Sequence, residues 1–574
     1  MHYFLISLYR NSMSPLEGKN IYSLTDCLKL KLEHSGPSMV IDTDDFFYFR
    51  FGSLLEENDK DIDENFAQAL YRNQTDILLS NSGYFDVVFF NKVSAQGSIY
   101  ADRVGIHNIL YHEKHSELIL SSNVQKFELP KLKTVDPVWL TEVVNFRIAS
   151  GSHTYHPSLK KIPAAHSYHF DESLQLRTSG YYWQPQERKP QSDLTLKSAS
   201  EQSLELLNAH LSKANIKNRK VAVLLSGGID SSLLAALTHQ HNRNVVAVTP
   251  VFVTGKNPEL EIAKEMARSL KIEHQLIEIK DDDVKVEFSV VIQCLQQPVR
   301  SQHALIFSIL MKKLKGKFDS VVFGEGADTI FGYHGVKQAG KRFAKQNKLA
   351  HFKLLSPLLK LLQHIPSVNK LTHLLNESIT VQVTNSWALD YTPAVKNQLP
   401  LFDEVANAIE IIGWLDLPKK NHTNLDLFAF ENLVRRFLIQ VGNVDHFYSM
   451  GAIANRDGID LICPFFDIEL VKFSANFHDE LYLGKDFVKP ILRNIGCDFY
   501  NQELMYLKKK GFPVPHKSWL NGPLSERATD AKNYISNNYG YDASKDDEFI
   551  WLVMCLQELN IIDSLKQYRK STTH

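Results

Sequence analysis

Residues Leu224 to Ser232 read LLSGGIDSS, and each residue type in that run suits a loop that binds pyrophosphate. Gly227 and Gly228 let the backbone approach an anion without a Cβ clash. Ser226, Ser231 and Ser232 add hydroxyl donors. Asp230 would repel a phosphate, so its natural use is to bind a Mg²⁺ ion that bridges phosphate oxygens. No lysine follows the glycines, so this is neither the nucleotide loop ending in GK[ST] nor the dinucleotide GxGxxG. A lysine-free loop with an aspartate suits a grip on pyrophosphate as a leaving group, which is adenylation chemistry. A second loop, Gly324-Glu325-Gly326-Ala327-Asp328, repeats the logic. Asp328 can supply a second Mg²⁺ carboxylate, and Glu325 lies close enough to act on a substrate. A third run, Leu507 to Pro515 (LKKKGFPVP), offers a fixed lysine against charge that builds on the α-phosphate.

These residues must be held by strand ends and helix starts. Lys220 to Leu225 reads as a buried strand, and Ser231 to His239 as the helix after the first loop. Phosphates bind well at such a junction, where free N–H groups and the helix dipole face the anion. Val245 to Phe252, Glu273 to Ile279 and Ser320 to Phe323 read as further strands, with a helix over Glu259 to Leu270. Strands alternating with helices indicate a parallel, doubly wound α/β sheet, whose ligands sit at the carboxyl ends of its strands. A helix is expected over about Leu194 to Ala214, and the chain from His334 onward reads as mainly helical. Lys337 to Lys370 is lysine-rich; amphipathic helices with solvated lysine faces are favoured there over a basic groove for peptide or nucleic acid.

The first third reads differently. Tyr3 to Leu8, Asp45 to Phe51, Tyr84 to Phe90, Ser98 to Ala101, Ile109 to Tyr111 and Leu118 to Ser121 are strands between short polar turns. With a helix over Pro137 to Ile148, this is an α+β pattern of mostly antiparallel strands. Gln184 to Asp193 (QPQERKPQSD) is rich in Pro, Gln and charge. The expected units are therefore 1–185, a linker at 186–193, and 194–574.

Composition narrows the function. The chain has 574 residues, 44% hydrophobic and 22% charged, with net charge −1. A charge so near zero gives no support to a nucleic-acid partner. Five scattered cysteines, Cys27, Cys294, Cys463, Cys497 and Cys555, never form CxxC. That argues for a reducing compartment and against a disulfide framework, a zinc site or an iron–sulfur cluster. The start, MHYFLISLYRNS, lacks a signal peptide's long apolar core, and no run reaches the ~18 apolar residues of a membrane span. A cytoplasmic protein with no membrane partner is expected.

Together these motifs resemble the class B asparagine synthetase superfamily, which includes β-lactam synthetases and lasso-peptide cyclases. The resemblance continues through GEGADTIFGY (Gly324 to Tyr333), Asp445-His446 with Ser449-Met450, Pro464 to Asp467, Lys489-Pro490-Ile491-Leu492-Arg493, and KKGFPVPHKSW (Lys509 to Trp519). In the first half, Gly83-Tyr84-Phe85, Asp102-Arg103-Val104-Gly105 with Leu110-Tyr111, Leu120 to Asn123 and Tyr182-Trp183 resemble the family's glutaminase-type domain. The resemblance implies an Ntn-like sandwich followed by an ATP-pyrophosphatase-type α/β domain with a helical C-terminal extension. It also implies that a substrate carboxylate is activated by ATP as an acyl-adenylate, and that an amine then displaces AMP. By position, Asp230 and Asp328 would hold Mg²⁺ and Lys509 would be the transition-state cation. Glu325 would be a base for the amine. Leu224, Phe252 and Gly324 would line the adenine pocket. Asp460 stands, one carbon shorter, where the family's "ExRxPFLD" has its acid, and Ile462 replaces the arginine. That departure favours a substrate other than aspartate.

Glutamine-dependent members expose an N-terminal cysteine thiolate. Here Met1, expected to be retained, is followed by His2, and the first cysteine is Cys27. The first half is expected to survive as scaffold. The amine would come from the substrate itself, by ring closure, or from a separate small molecule; ring closure is favoured. Ammonia-dependent amidation, a tRNA-modifying adenylating enzyme and a non-catalytic binding protein are the alternatives. The sequence leaves oligomeric state open, a homodimer included.

Overall fold

The computed structural model describes residues 2–10, 20–54, 59–79, 83–114, 116–146, 149, 151–252, 259–299, 302–349, 368, 375, 379–384, 426–507, 514–540, 542–543 and 546–567. In the first third the strands are β1 (Tyr3–Arg10), β2 (Ile21–Ser23), β3 (Leu28–Ser35), β4 (Ser38–Asp42), β5 (Phe46–Leu54) and β6 (Gly83–Asn91). They continue with β7 (Gln96–Tyr100), β8 (Ile109–Lys114), β9 (Glu117–Ser121), β10 (Lys160–Ile162), β11 (His166–Phe170) and β12 (Arg177–Tyr181). These form two six-stranded sheets, ordered β10-β8-β9-β1-β3-β2 and β12-β11-β7-β6-β5-β4. The pairings within them are antiparallel.

Side-chain alternation explains how the sheets stack. Phe4, Ile6 and Leu8 of β1 face Phe47, Phe49 and Phe51 of β5 across a shared core. The opposite face of β5 and β6 (Phe46, Tyr48, Phe85, Val87, Phe89) is covered by α1 (Asp59–Tyr71) through Phe66 and Leu70. A central strand covered on both faces reads as an almost unbroken apolar run, as FFYF and YFDVVFF do. In β3, by contrast, leucines alternate with lysines.

Gln184 to Asp193 is held down against the second half. Arg188 is buried and donates to the Phe477 carbonyl at 3.0 Å, and the Lys189 N–H donates to the Ala475 carbonyl at 2.7 Å. Next, α3 (Leu196–Lys213) starts at a Thr195–Ser198 capping box, which satisfies N–H groups that a helix start leaves free.

The second half is built on a parallel sheet ordered β15-β14-β13-β16-β17. Its strands are β13 (Val221–Leu224), β14 (Val246–Phe252), β15 (Glu273–Ile279), β16 (Ser320–Val322) and β17 (Asp460–Ile462). The connecting helices include α4 (Ile229–His241), α5 (Leu260–Leu270), α6 (Asp281–Leu295) and α7 (Gln302–Leu314). After α8 (Ala327–Phe331), α9 (His334–Lys348) buries Val336 and Phe343 while Lys341, Arg342 and Lys345 face solvent, the amphipathic arrangement expected. Most of the lysine-rich segment beyond residue 349 lies outside the described residues.

The two halves meet along helix Asn443–Asp457. Tyr84 Oη donates to the Cys463 carbonyl at 3.0 Å and accepts from the Cys463 N–H at 3.1 Å. The His2 N–H donates to the Asn455 carbonyl at 2.8 Å. A Cβ at Gly451 would run into the Ile106 carbonyl oxygen, so only glycine permits the approach. Gly451→Ala is expected to lower the unfolding free energy by about 1–3 kcal/mol through overpacking, measured by denaturant titration of the full chain.

Candidate active site

Two loops leave adjacent strands and meet. The first follows β13, where the Leu225 N–H donates to the Val248 carbonyl at 2.9 Å and the chain turns through Ser226-Gly227-Gly228 into α4. Gly227 has φ +87°, and a Cβ there would lie 2.6 Å from the Glu259 carbonyl oxygen. The loop braces itself. Ser226 and Ser231 hydroxyls are 3.0 Å apart, Ser231 Oγ accepts from the Ser226 N–H at 3.1 Å, and Ser226 Oγ accepts from the Gly228 N–H at 3.2 Å. Ser232 is fully buried, and its backbone carbonyl accepts from Tyr500 Oη at 2.7 Å. Ser226 and Ser231 are the hydroxyls that brace the loop.

The second loop follows β16, where the Phe323 N–H donates to the Ile462 carbonyl at 2.9 Å, and enters α8. Gly326 has φ +93°, with Phe466 closing over it. A methyl group at Gly324 would lie 3.9 Å from both Asp230 Cβ and the Ser231 nitrogen, so the loops touch. Leu224 and Phe252 end β13 and β14 on the same side of the sheet. Phe252 packs edge-on against Trp519 with ring centroids 6.1 Å apart.

Between the loops sits Lys489, 2% exposed. Its Nζ is 2.6 Å from Asp230 Oδ2 and 2.5 Å from Asp328 Oδ1. Burial opposes the ammonium charge, but the two carboxylates outweigh it and raise the lysine's pKa. Lys489 has the left-handed φ of 59° and precedes Pro490, which opens helix Pro490–Gly496. On that helix Arg493 donates to the Met505 carbonyl and stacks over Phe487 and Tyr506. It thereby fixes the chain entering residues 508–513. Lys509, expected as the transition-state cation, lies outside the described residues.

Glu325 is held from the seam helix. Asn443 Nδ2 donates to Glu325 Oε1 at 2.9 Å, and His446 Nδ1 lies 3.2 Å from the same oxygen. Thr329 Oγ1 donates to Asn443 Oδ1 at 2.5 Å, which orients the amide. Burial alone would raise the Glu325 pKa; the charge of the neighbouring His446 reverses this and lowers it. Asn443 and His446 share a helix face at i and i+3. They follow a π-helical turn at Leu438–Gly442, a distortion that often marks functional sites.

Asp460 is not part of this cluster. It pairs in register with Ser320 at the beginning of β16, four residues before Gly324. In extended chain that is roughly 13 Å, towards the opposite end of the sheet. There Asp460 forms an ion pair with Arg219 and lies 3.9 Å from His2 Nδ1. The catalytic role expected for Asp460 is corrected to a contact between the halves: in a parallel sheet, an acid that begins a strand is remote from loops that follow strands.

Among the described residues Asp230 Oδ1 is buried without a hydrogen-bond partner, on an acid that shares Lys489 with Asp328. Hard carboxylate oxygens of this kind fit Mg²⁺. With N–H groups at the start of α4 and the Lys489 ammonium, the site suits a polyphosphate.

The sequence model of the asparagine synthase family matches residues 203–544. The glutamine-hydrolysing asparagine synthetase 1 of Bacillus subtilis is 21% identical over 537 residues, 88% of this chain and 82% of that protein. A putative glutamine-hydrolysing asparagine synthetase of Mycobacterium tuberculosis is 23% identical over 325 residues, spanning 54% of this chain and about half (47%) of the relative. An amidase of Gibberella zeae is 21% identical over 564 residues, 87% of this chain and 80% of that protein. Among solved structures, NMN synthetase of Francisella tularensis is 22% identical over 24% of this chain and 58% of its own, with TM-score 0.19.

Asp460→Asn is expected to cost about 1 kcal/mol or less, as a part-exposed ion pair does, and to leave ATP affinity unchanged. Gly227→Val should abolish ATP binding while the protein stays folded. Calorimetric titration with ATP, with circular dichroism as control, checks both.

Proposed function

The chain belongs to the asparagine synthase family, and on that premise we propose that it adenylates a substrate carboxylate and joins it to an amine that does not derive from glutamine. It is an ATP-dependent ligase that forms carbon–nitrogen bonds with release of AMP and pyrophosphate. The observation that carries the reading is the convergence of Ser226, Asp230, Ser231, Asp328 and Lys489 on one space at the carboxyl ends of β13 and β16.

Each part has a task. N–H groups at the start of α4, with Ser226 and Ser231, grip the pyrophosphate. Asp230 and Asp328 would hold Mg²⁺, which when bound offsets phosphate charge. Lys509 would meet charge on the α-phosphate and on the tetrahedral intermediate. Leu224, Phe252 and Gly324 flank the space for the adenine. Glu325 and His446 form a carboxylate–imidazole pair beside the second loop. Glu325, held anionic, would orient the imidazole and stabilise it when protonated, so that His446 takes the proton of the attacking amine.

The placement of the first cysteine supports an amine source other than glutamine. Cys27, the one cysteine before Cys294, is exposed in the turn between β2 and β3. Ring closure within one substrate, as in β-lactam synthetases and lasso-peptide cyclases, remains the favoured form. Among the described residues no helix is long and apolar enough to cross a membrane.

ATP–pyrophosphate exchange, scanned over carboxylic acids, should appear with the correct acid and fall about 10²–10³-fold in Asp230→Ala or Lys509→Ala, the range for lost electrostatic stabilisers. Exchange unchanged in both variants would overturn the mechanism. Glu325→Gln and His446→Gln should slow amide formation about 10²-fold while exchange falls far less. Comparing product yield with AMP release in each variant reads the difference.

A further inference from the structure

The two acidic loops close around a cation that the chain supplies. Lys489 Nζ lies 2.6 Å from Asp230 Oδ2 and 2.5 Å from Asp328 Oδ1, and the side chain is 2% exposed. A magnesium ion needs carboxylate oxygens at about 2.0–2.1 Å in an octahedral shell. An ammonium held on Asp230 Oδ2 and Asp328 Oδ1 and a dication bridging the same two carboxylates would lie within a few ångströms of each other and repel. We propose that Lys489 is a resident counter-ion that keeps the Asp230–Asp328 pair closed to free divalent cations and admits them only together with a nucleotide. This rests on reading the cleft as an ATP site.

Charge accounting gives the reason. A divalent ion entering alone would displace the ammonium from both partners and leave a buried, unpaired charge beside a dication, which is strongly unfavourable. A nucleotide polyphosphate changes the balance, because its oxygens accept the displaced ammonium in charge-assisted hydrogen bonds. Metal and nucleotide then bind with positive coupling, and the coupling is reciprocal. Lys489 is built for a fixed position: its left-handed φ of 59° and the proline after it hold the side chain's root in place. Such a φ is uncommon for a residue with a Cβ.

The test is Mn²⁺ titration followed by the loss of the free-ion electron paramagnetic resonance signal, on the wild type, Lys489→Gln and Lys489→Met, with and without ATP. Uptake is corrected for Mn²⁺–ATP formed in solution. Both neutral variants should bind Mn²⁺ alone about tenfold or more tightly than the wild type, and a second change, Asp230→Asn, should remove the gain. Adding ATP should raise Mn²⁺ affinity in the wild type and much less in the variants. Equal affinity for Mn²⁺ alone in wild type and variants overturns the counter-ion role and leaves the ATP site intact. A wild type that takes up no ATP overturns the reading beneath it. Should both variants fold poorly by circular dichroism, amine footprinting of the wild type decides. Lys489 labelling that changes with ATP and Mn²⁺ together but not with Mn²⁺ alone supports the proposal, and any other pattern overturns it.

Discussion

Two carboxylates that reach one space from neighbouring strand ends repel unless a cation stands between them. Asp230 and Asp328 are in that position because β13 and β16 pair in parallel register and both turn into helices at the same edge. The Lys489 ammonium lets the loops approach. Much local structure serves its placement. Helix Pro490–Gly496 packs so closely on the start of α4 that a Cβ at Gly496 would meet Met505 and lie 3.3 Å from Ile229 Cδ1. Arg493 locks the next segment through the Met505 carbonyl. The arrangement is a charge network first, and the backbone geometry around it follows.

The second constraint is the seam. Helix Asn443–Asp457 gives Asn443 and His446 to Glu325, while Gly451 and Asn455 of the same helix are held by the first half of the chain. The first half of the chain therefore bears on the position of the helix that holds Glu325. Asp460, with Arg219 and His2, belongs to this seam.

Much of the architecture was readable because each strand carried its own signal. KVAVLL and VVAVTPVF are continuous apolar runs of the kind that parallel strands require, and the glycine turn after the first fixes the loop. β3 and α1 were not foreseen, although LKLKLE alternates strictly; the alternation of Leu with Lys looks polar when composition is weighed ahead of period. β17 is only three residues long and was visible only as part of a motif. At the site, the two loops were legible because glycine, serine and aspartate have few other reasons to stand in that order. Lys489 stood in the sequence only as the first residue of the KPILR run, with no role attached, and Asn443 not at all, since a lysine before proline and a lone asparagine in a helix carry no local sign of what they touch. Their roles arise from contacts made across 259 and 118 residues of sequence. Asp460 was misplaced for the opposite reason: a motif gives order along a strand but not which end faces the ligand.

The second loop also separates two charge problems over three residues. Asp328 is balanced by an ammonium, which is always cationic near neutral pH and can be exchanged for other cations. Glu325 is balanced by an amide and an imidazole, and of these only the imidazole can change charge near neutral pH. The first pairing suits a site that must accept and release a polyphosphate with its cations. The second suits a site where one proton must move when an amine attacks. His446 reaches Glu325 from the seam helix and Lys489 reaches Asp328 from the residue before helix Pro490–Gly496, so the two partners come from different elements even though the Asp328 charge acts on Glu325. On the proposed reading, in which an adenylate forms first and an amide second, separate partners let the cations around Asp328 rearrange as pyrophosphate leaves while the seam helix keeps His446 beside Glu325.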